Sequence, residues 1–415
     1  MTHAGEEAAV VRTASSGGNE RPEPAEHDRP GMRPWRFVVA FGAVSMLVDF
    51  VYEGARSITG PLLASLGASA VTVGIVTGVG EGAALALRLV SGPLADRTRR
   101  FWAWTIGGYA LTIVTVPFLG LTGVLWVAGV LVVAERVGKA VRSPAKDTLL
   151  SHATAVTGRG RGFAVHEAMD QIGALLGPLT VAAILALTGG GYAPALGVLA
   201  LPGVAALALL VWLRGRVPDP AGYERHEAPD PAPDALSGRL PRVFWIYAAF
   251  TGVTLLGYAT FGVLSYHVVQ RNLVPAAAIP VVYAAAMGVD ALAALATGWA
   301  YDRLGPRVLA VLPVLAAAVP LLAFTDTTSL VVAGALLWGA AMGVQESTLR
   351  AAVADLVPPA RRATAYGLFA AVMGGATVVG GILAGALYSY SIPTLIIVTV
   401  AVQVVAVALL VATRR

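Results

Sequence analysis

The chain has 415 residues, of which 57% are hydrophobic and only 13% charged, and its mean hydropathy is +0.73. Soluble domains carry about 25% charged residues, so this composition describes an all-α integral membrane protein. The net charge of +5 does not mark a nucleic-acid binder, because the basic residues punctuate apolar runs instead of forming a patch; the absence of cysteine excludes disulfides, thiol chemistry and Cys-ligated metals.

Residues 1–34 are rich in Glu, Pro, Gly and Arg and lack the apolar core of a signal peptide, so they read as a disordered tail. Apolar runs then predict twelve transmembrane helices, near 36–66, 70–95, 101–121, 123–143, 162–188, 191–213, 242–269, 276–301, 307–325, 328–351, 362–388 and 392–412. With the N-terminus inside, the inner loops hold nearly all the Arg and Lys, including Arg97, Arg100, Arg161, Arg214, Arg303 and Arg361, while the outer loops hold only Arg271. Both termini are therefore expected on the cytoplasmic side of a bacterial plasma membrane. Residues 214–241, with Pro218, Pro220, Pro229, Pro231 and Pro233 among charged residues, read as a flexible linker between six-helix sets at 35–213 and 242–415.

The first predicted helix carries the most informative stretch, Asp49 through Arg56. Asp49, Glu53 and Arg56 step by four and three residues and share one helical face. At about 1.5 Å per residue, Asp49 lies roughly 18 Å into a ~30 Å hydrocarbon core. A charge there costs roughly 2.5–3.5 kcal/mol, so the three either line a wet cavity or neutralise one another. Other intramembrane charges follow in order: Glu81 and Arg88, a pair or cavity groups; Glu135 and Arg136, with Lys139 and Arg142 on the adjoining stripe; His166, Glu167 and Asp170; Asp290; and Glu346 with Arg350. Most lie in the first half. The second half offers Tyr258, Tyr266, Tyr283 and Trp338, which suggests protons handled by one half and an aromatic substrate wall supplied by the other.

The halves also repeat. Gly92-Pro93-Leu94-Ala95-Asp96-Arg97 follows the second helix, and Gly298-Trp299-Ala300-Tyr301-Asp302-Arg303 follows the eighth, 206 residues later. Two six-helix repeats around a midplane site are a common transporter plan. On these residues the chain resembles the major facilitator superfamily over about 35–413. The stretch from Gly92 to Arg100 is similar to the loop motif between helices two and three of that family, with Arg99 where Gly is usual; the second copy keeps Gly305. The resemblance implies a cytoplasmic gate. In it Gly92, Asp96, Arg97 and Arg100 face the start of helix eleven near Ala363, and Gly298, Asp302 and Arg303 face the start of helix five near Gly162. An Asp docked on a helix N-terminus is the physical basis of such a contact; ordinary helix-end pairing is the alternative.

Gly173, Gly177 and Pro178 on helix five resemble the antiporter motif of the drug:proton exchange branch, although Val181 and Ala182 stand where further Gly is usual. Arg136 through Ala140 is similar to that branch's R-x-x-Q-G motif, with Lys139 in the Gln place. The resemblance implies a secondary transporter, not an enzyme. It implies proton-coupled efflux of small amphiphilic or cationic compounds, with uptake of a polar or anionic metabolite as the alternative. No phosphate-binding loop and no hydrolase motif appears, so no cofactor or metal is expected. The expected partners are a small-molecule substrate, protons and the bilayer, and a single chain suffices for function. Asp49 is the first candidate for the coupling acid, then Glu53, with Asp170 and Glu135 following.

Overall fold

The computed structural model describes residues 31–223, 240–357 and 362–413, except for the side chains of 159–160, 163–164, 350–351, 354 and 362–363. All regular structure among them is helical. The helices are α1 (Pro34–Ser65), α2 (Ala70–Ala86), α3 (Arg88–Thr98), α4 (Phe101–Leu121), α5 (Leu125–Thr157), α6 (Arg159–Leu187), α7 (Tyr192–Gly197), α8 (Ala200–Arg216), α9 (Arg242–Leu256), α10 (Phe261–Gln270), α11 (Ala278–Leu304), α12 (Val311–Ala323), α13 (Thr328–Leu356), α14 (Arg362–Tyr390) and α15 (Ile392–Ala412). Among the described residues ten stretches are long and apolar enough to cross a membrane, one of them, Ala278–Ala323, being 46 residues long, enough for two passes. Helix α5 escapes that criterion because Glu135, Arg136, Lys139 and Arg142 interrupt its apolar part; with it, the passes are consistent with the twelve expected.

Three expected helices are each broken into two pieces, α2/α3, α7/α8 and α9/α10. At the second break Pro202 lies in the first turn of α8, where its missing N–H costs nothing but ends the preceding ladder. The first break falls at Leu87, between Glu81 on α2 and Arg88 on α3.

The loop motif folds at a revealing angle. Arg99 takes φ 52° and ψ 19°, the left-handed region, and ends α3. Its counterpart Gly305 has φ 63° and ends α11. Both copies therefore turn through positive φ at the same step after Asp96 and Asp302. Only Gly does so without cost; an L-residue there loses about 1–2 kcal/mol.

The expected linker begins later than composition suggested. Helix α8 runs to Arg216, and Pro220–Tyr223 form a turn of 3-10 helix. The Tyr223 hydroxyl donates to the Met32 carbonyl at 2.8 Å, and Trp102 Nε1 donates to the Pro218 carbonyl at 3.1 Å. The Tyr223 ring sits 5.9 Å from Phe37. Aromatic rings with one polar handle can anchor a Pro-rich segment that charge and proline content make look free. The rest of the expected linker, 224–239, and most of the expected tail, 1–30, lie outside the described residues.

Small residues set the helix contacts. Gly173 and Gly177 of α6 pack against the α1 backbone at Met46 and Phe50. In the other half Gly380 of α14 packs on Leu255 and Leu256 of α9. Between the halves, Gly78 and Gly381 bring α2 and α14 together, so that a Cβ on Gly78 would lie 3.1 Å from the Gly381 Cα. Where lipid is as apolar as the side chains, close backbone approach of this kind supplies the packing.

The apolar cores show where the halves meet. One buried cluster joins Val51, Ile58 and Leu62 of α1 with Val263 and Tyr266 of α10 and with Leu395 of α15, and so contains both halves. It lies at the end opposite the Arg-rich loops. At the Arg-rich end the cores are separate: Phe37, Phe41 and Trp102 in one half, Phe244, Tyr247 and Phe369 in the other. The halves are sealed at one end and parted at the other.

Candidate transport cavity

The gap between the parted halves is a cavity of about 610 Å³. Its N-terminal wall carries Asp49, Tyr52, Arg56, Glu81, Arg88, Lys139, Arg142, Lys146, Asp147, Glu167 and Asp170. Its C-terminal wall carries Tyr258, Trp338, Met342, Gln345, Glu346, Met373 and Thr377. Arg88, Lys139, Arg142, Lys146, Asp147, Glu167, Asp170 and Glu346 come from the halves of their helices nearer the Arg-rich loops, while Arg56, Glu81 and Trp338 lie deeper, so the cavity opens on the Arg-rich side.

An ionic cluster runs from the N-terminal wall, at Arg56 and Glu81, to the residues behind it. Arg56 reaches Glu81 at 2.9 Å and Glu53 at 3.5 Å. Arg136 lies 3.6 Å from the same Glu81 oxygen and 3.3 Å from Glu135. Glu81 therefore bridges two guanidiniums, and the pairing with Arg88 is replaced. Arg88 itself lines the cavity and has interactions of its own. Glu53 and Glu135 are 7% and 6% exposed, and neither lines the cavity. Tyr283 of α11 donates its hydroxyl to Glu53 Oε2, a bond that crosses from one half to the other. The helical face that carries Asp49, Glu53 and Arg56 thus divides: its outer members face the cavity, and Glu53 is sealed behind them.

The cations also use aromatic faces. Arg136 Cζ lies 4.3 Å and Lys139 Nζ 3.8 Å from the Tyr52 ring centroid, and Arg56 lies 5.7 Å from Trp338. Such contacts offset part of the cost of removing cations from water. Tyr258 and Trp338 stack at 6.1 Å with ring planes 8° apart, and Phe261 and Tyr283 extend the group.

A second polar group lies nearer the mouth. Arg142 reaches Asp49 only at 3.7 Å, while it donates to Thr112 at 3.1 Å and stacks on Tyr109. Lys146 stands 3.8 Å from Asp170. His166 is 3% exposed; Nε2 meets Ser45 Oγ at 2.8 Å and Nδ1 meets Asp170 at 3.4 Å. Ser45 and Tyr109 carry no signal of their own, since small polar and aromatic residues in apolar helices usually only pack. Asp290 is 3% exposed and its Oδ1 has no hydrogen-bond partner among the described residues. Glu346 is exposed into the cavity, and the Arg350 side chain proposed as its partner lies outside the described residues.

The loop-motif residues sit at the Arg-rich rim. Asp96, Arg97, Arg100, Asp302 and Arg303 are exposed, and Gly92 and Gly298 are half-buried. Among the described residues Asp96 and Asp302 make no hydrogen bond to the start of α14 or α6, and Arg303 stacks 3.8 Å over Trp299. Gly173, Gly177 and Pro178 lie on α6 where it crosses α1 beside Asp49.

Two helical halves around a charged cleft define a multi-pass carrier fold. Sequence comparison agrees: the Major Facilitator Superfamily model matches residues 41–312 and 274–415. The chain belongs to the Major Facilitator Superfamily. It is 64% identical over 393 residues to protein Rv2265 of Mycobacterium tuberculosis, covering 93% of this chain and 95% of that one. A shorter match, 30% over 141 residues and 34% of this chain, is to the MFS-type transporter MJ1317 of Methanocaldococcus jannaschii. Among solved structures, a mutant of the nucleoside transporter NupG superposes with a TM-score of 0.74 at 14% identity, over 91% of this chain and all of that one. A bacterial homologue of the human lysosomal transporter Spinster, inward-facing and unoccupied, gives 0.71 at 14% identity over 92% and 97%. The protein is a membrane transporter of the secondary type and not an enzyme.

Proposed function

We propose that the protein exports small amphiphilic compounds in exchange for protons by alternating access, with Asp49 as the coupling carboxylate. The supporting observation is the position of Asp49: it lines the cavity, and its one ion pair among the described residues, with Arg142, is loose at 3.7 Å. A carboxylate held this way can exchange a proton with cavity water. Ionised, it draws Arg142 toward α1; protonated, it releases it. The α6 glycines pack α6 on α1 beside this residue, so movement of α1 passes directly to α6. Glu53, Glu135 and Asp170 are the acids through which the proton would pass or be balanced.

The orientation follows from the Arg-rich loops, so the cavity would open to the cytoplasm of a bacterial cell, with both termini inside. Asp96 and Asp302 would then dock on α14 and α6 when that side closes. One chain holds both halves and would work as a monomer. The basic stripe Lys139, Arg142 and Lys146 favours a second reading, uptake of an anion with protons.

Reconstitution decides between them. Vesicles carrying an internal pH dye are challenged with a panel that includes ethidium and phenylalanine. Export predicts proton movement opposite to the compound; symport predicts movement with it. Asp49→Asn should abolish proton movement while the protein stays folded in the membrane. Undiminished pH-driven transport by that variant would sink the assignment.

A further inference from the structure

We propose that the substrate is a zwitterion held between Lys139 of one half and Glu346 of the other. The inference rests on the carrier reading above and specifies its ligand. Nearly every cation in or behind the N-terminal wall has a carboxylate within ion-pair distance: Arg56 has Glu81, Arg136 has Glu135, Arg142 has Asp49 and Lys146 has Asp170. Lys139 differs. Among the described residues its ammonium has no carboxylate within ion-pair distance and rests only on the Tyr52 ring. Across the cavity Glu346 is the one charged residue of the C-terminal wall, exposed to the space and without a hydrogen bond or ion pair among the described residues. Lys139 and Glu346 line the same cavity from opposite walls, so the two charges face one shared space. Beside Glu346, Gln345 Nε2 is buried without a hydrogen-bond partner, a donor left over for a ligand. The Tyr258–Trp338 stack lines the same space and suits an apolar body.

A cation alone would satisfy Glu346 and leave Lys139 bare; an anion alone would do the reverse. A molecule with an ammonium and a carboxylate pairs with both. It also ties the halves together across the open side, so its binding favours closure in a way that neither single charge achieves. Without substrate, Lys139 and Glu346 attract one another directly and allow the empty carrier to close.

The test is binding to the purified protein in detergent, read as the shift in unfolding temperature. Phenylalanine, leucine and methionine are compared with phenylalanine amide and N-acetylphenylalanine, which keep one charge each. At least one dipolar probe should act at about tenfold lower concentration than its single-charge analogues, as expected for one lost charge-assisted hydrogen bond. Lys139→Gln should bind the amide as well as the amino acid, and Glu346→Gln should bind the N-acetyl compound as well. Lys139→Arg and Glu346→Asp should retain the preference. The proposal is overturned if no dipolar probe shifts the wild type, if all probes act alike on it, or if the Gln variants keep the preference. Should a Gln variant not fold, the wild-type ranking decides. Binding needs no proton gradient: charge preference without pH-driven flux would remove the carrier reading alone, and proton-linked flux of single-charge compounds without the preference would remove this one alone.

Discussion

The two halves share a plan and differ in what they put on it. Helices α1–α8 bury a charged cluster in which Glu81 serves two arginines; α9–α15 line the same cavity with Tyr258, Trp338, Met342 and Met373 and one exposed acid. Their scaffolds correspond closely: Gly173 and Gly177 seat α6 on α1, and Gly380 seats α14 on α9. Small residues at helix contacts fix the architecture, and the residues between them are left free to specialise. One half can then carry charge that costs stability, because the other half asks little of the same bilayer.

This contrast predicts unequal sensitivity. The largest effect should come from Glu81→Ala, which leaves Arg56 and Arg136 without their shared partner. Breaking a buried pair in this way costs about 3–5 kcal/mol, so the folded yield from membranes should collapse; a yield near wild type would show that water already screens the cluster. Next is the seal between the halves. Gly78→Leu forces α2 from α14 and should hold the cavity closed on its Arg-rich side. The chain has no cysteine, so a single cysteine at Thr377 should lose reactivity with a bulky polar maleimide added from that side. The control is Gly288→Ala on α11, where the nearest atom to an added Cβ is Leu175 Cδ2 at 3.8 Å; its labelling should be unchanged.

The aromatic half should respond more mildly. Tyr258→Phe removes the hydrogen bond to the Trp338 carbonyl at 2.6 Å, a loss of about 0.5–1.5 kcal/mol, visible as a small drop in unfolding temperature with the folded yield retained. A collapse as severe as that of Glu81→Ala would erase the contrast. The smallest effect has the opposite sign. Arg99→Gly relieves the left-handed turn and should gain up to about 1 kcal/mol, offset in part by the entropy of glycine in the unfolded chain. Gly305→Ala, in the second copy, should lose stability.

The helix order was legible in the sequence because lipid demands long apolar runs and loops collect the cations; both are local, countable signals. The repeat was legible for the same reason, through Gly92–Arg97 and Gly298–Arg303. So were the acids Asp49 and Asp290, since an ionisable residue in an apolar run stands out in one dimension. What each charge touches was not legible. Glu81 shares a helix register with Arg88 on paper, yet it meets Arg56 and Arg136 from α1 and α5. Glu53 shares a face with Asp49 but bonds to Tyr283, 230 residues away. His166 meets Ser45, which lies on α1, 121 residues away, as well as Asp170 on its own helix.

Periodicity and composition thus determined that the chain crosses a membrane as two repeated halves and which residues would be costly there. Only the tertiary structure decided which of those charges neutralise one another and which face the cavity, Lys139 and Glu346 among them. The reason is physical: desolvation cost belongs to a residue and its depth, whereas charge pairing depends on distances of a few ångströms between helices far apart in the chain.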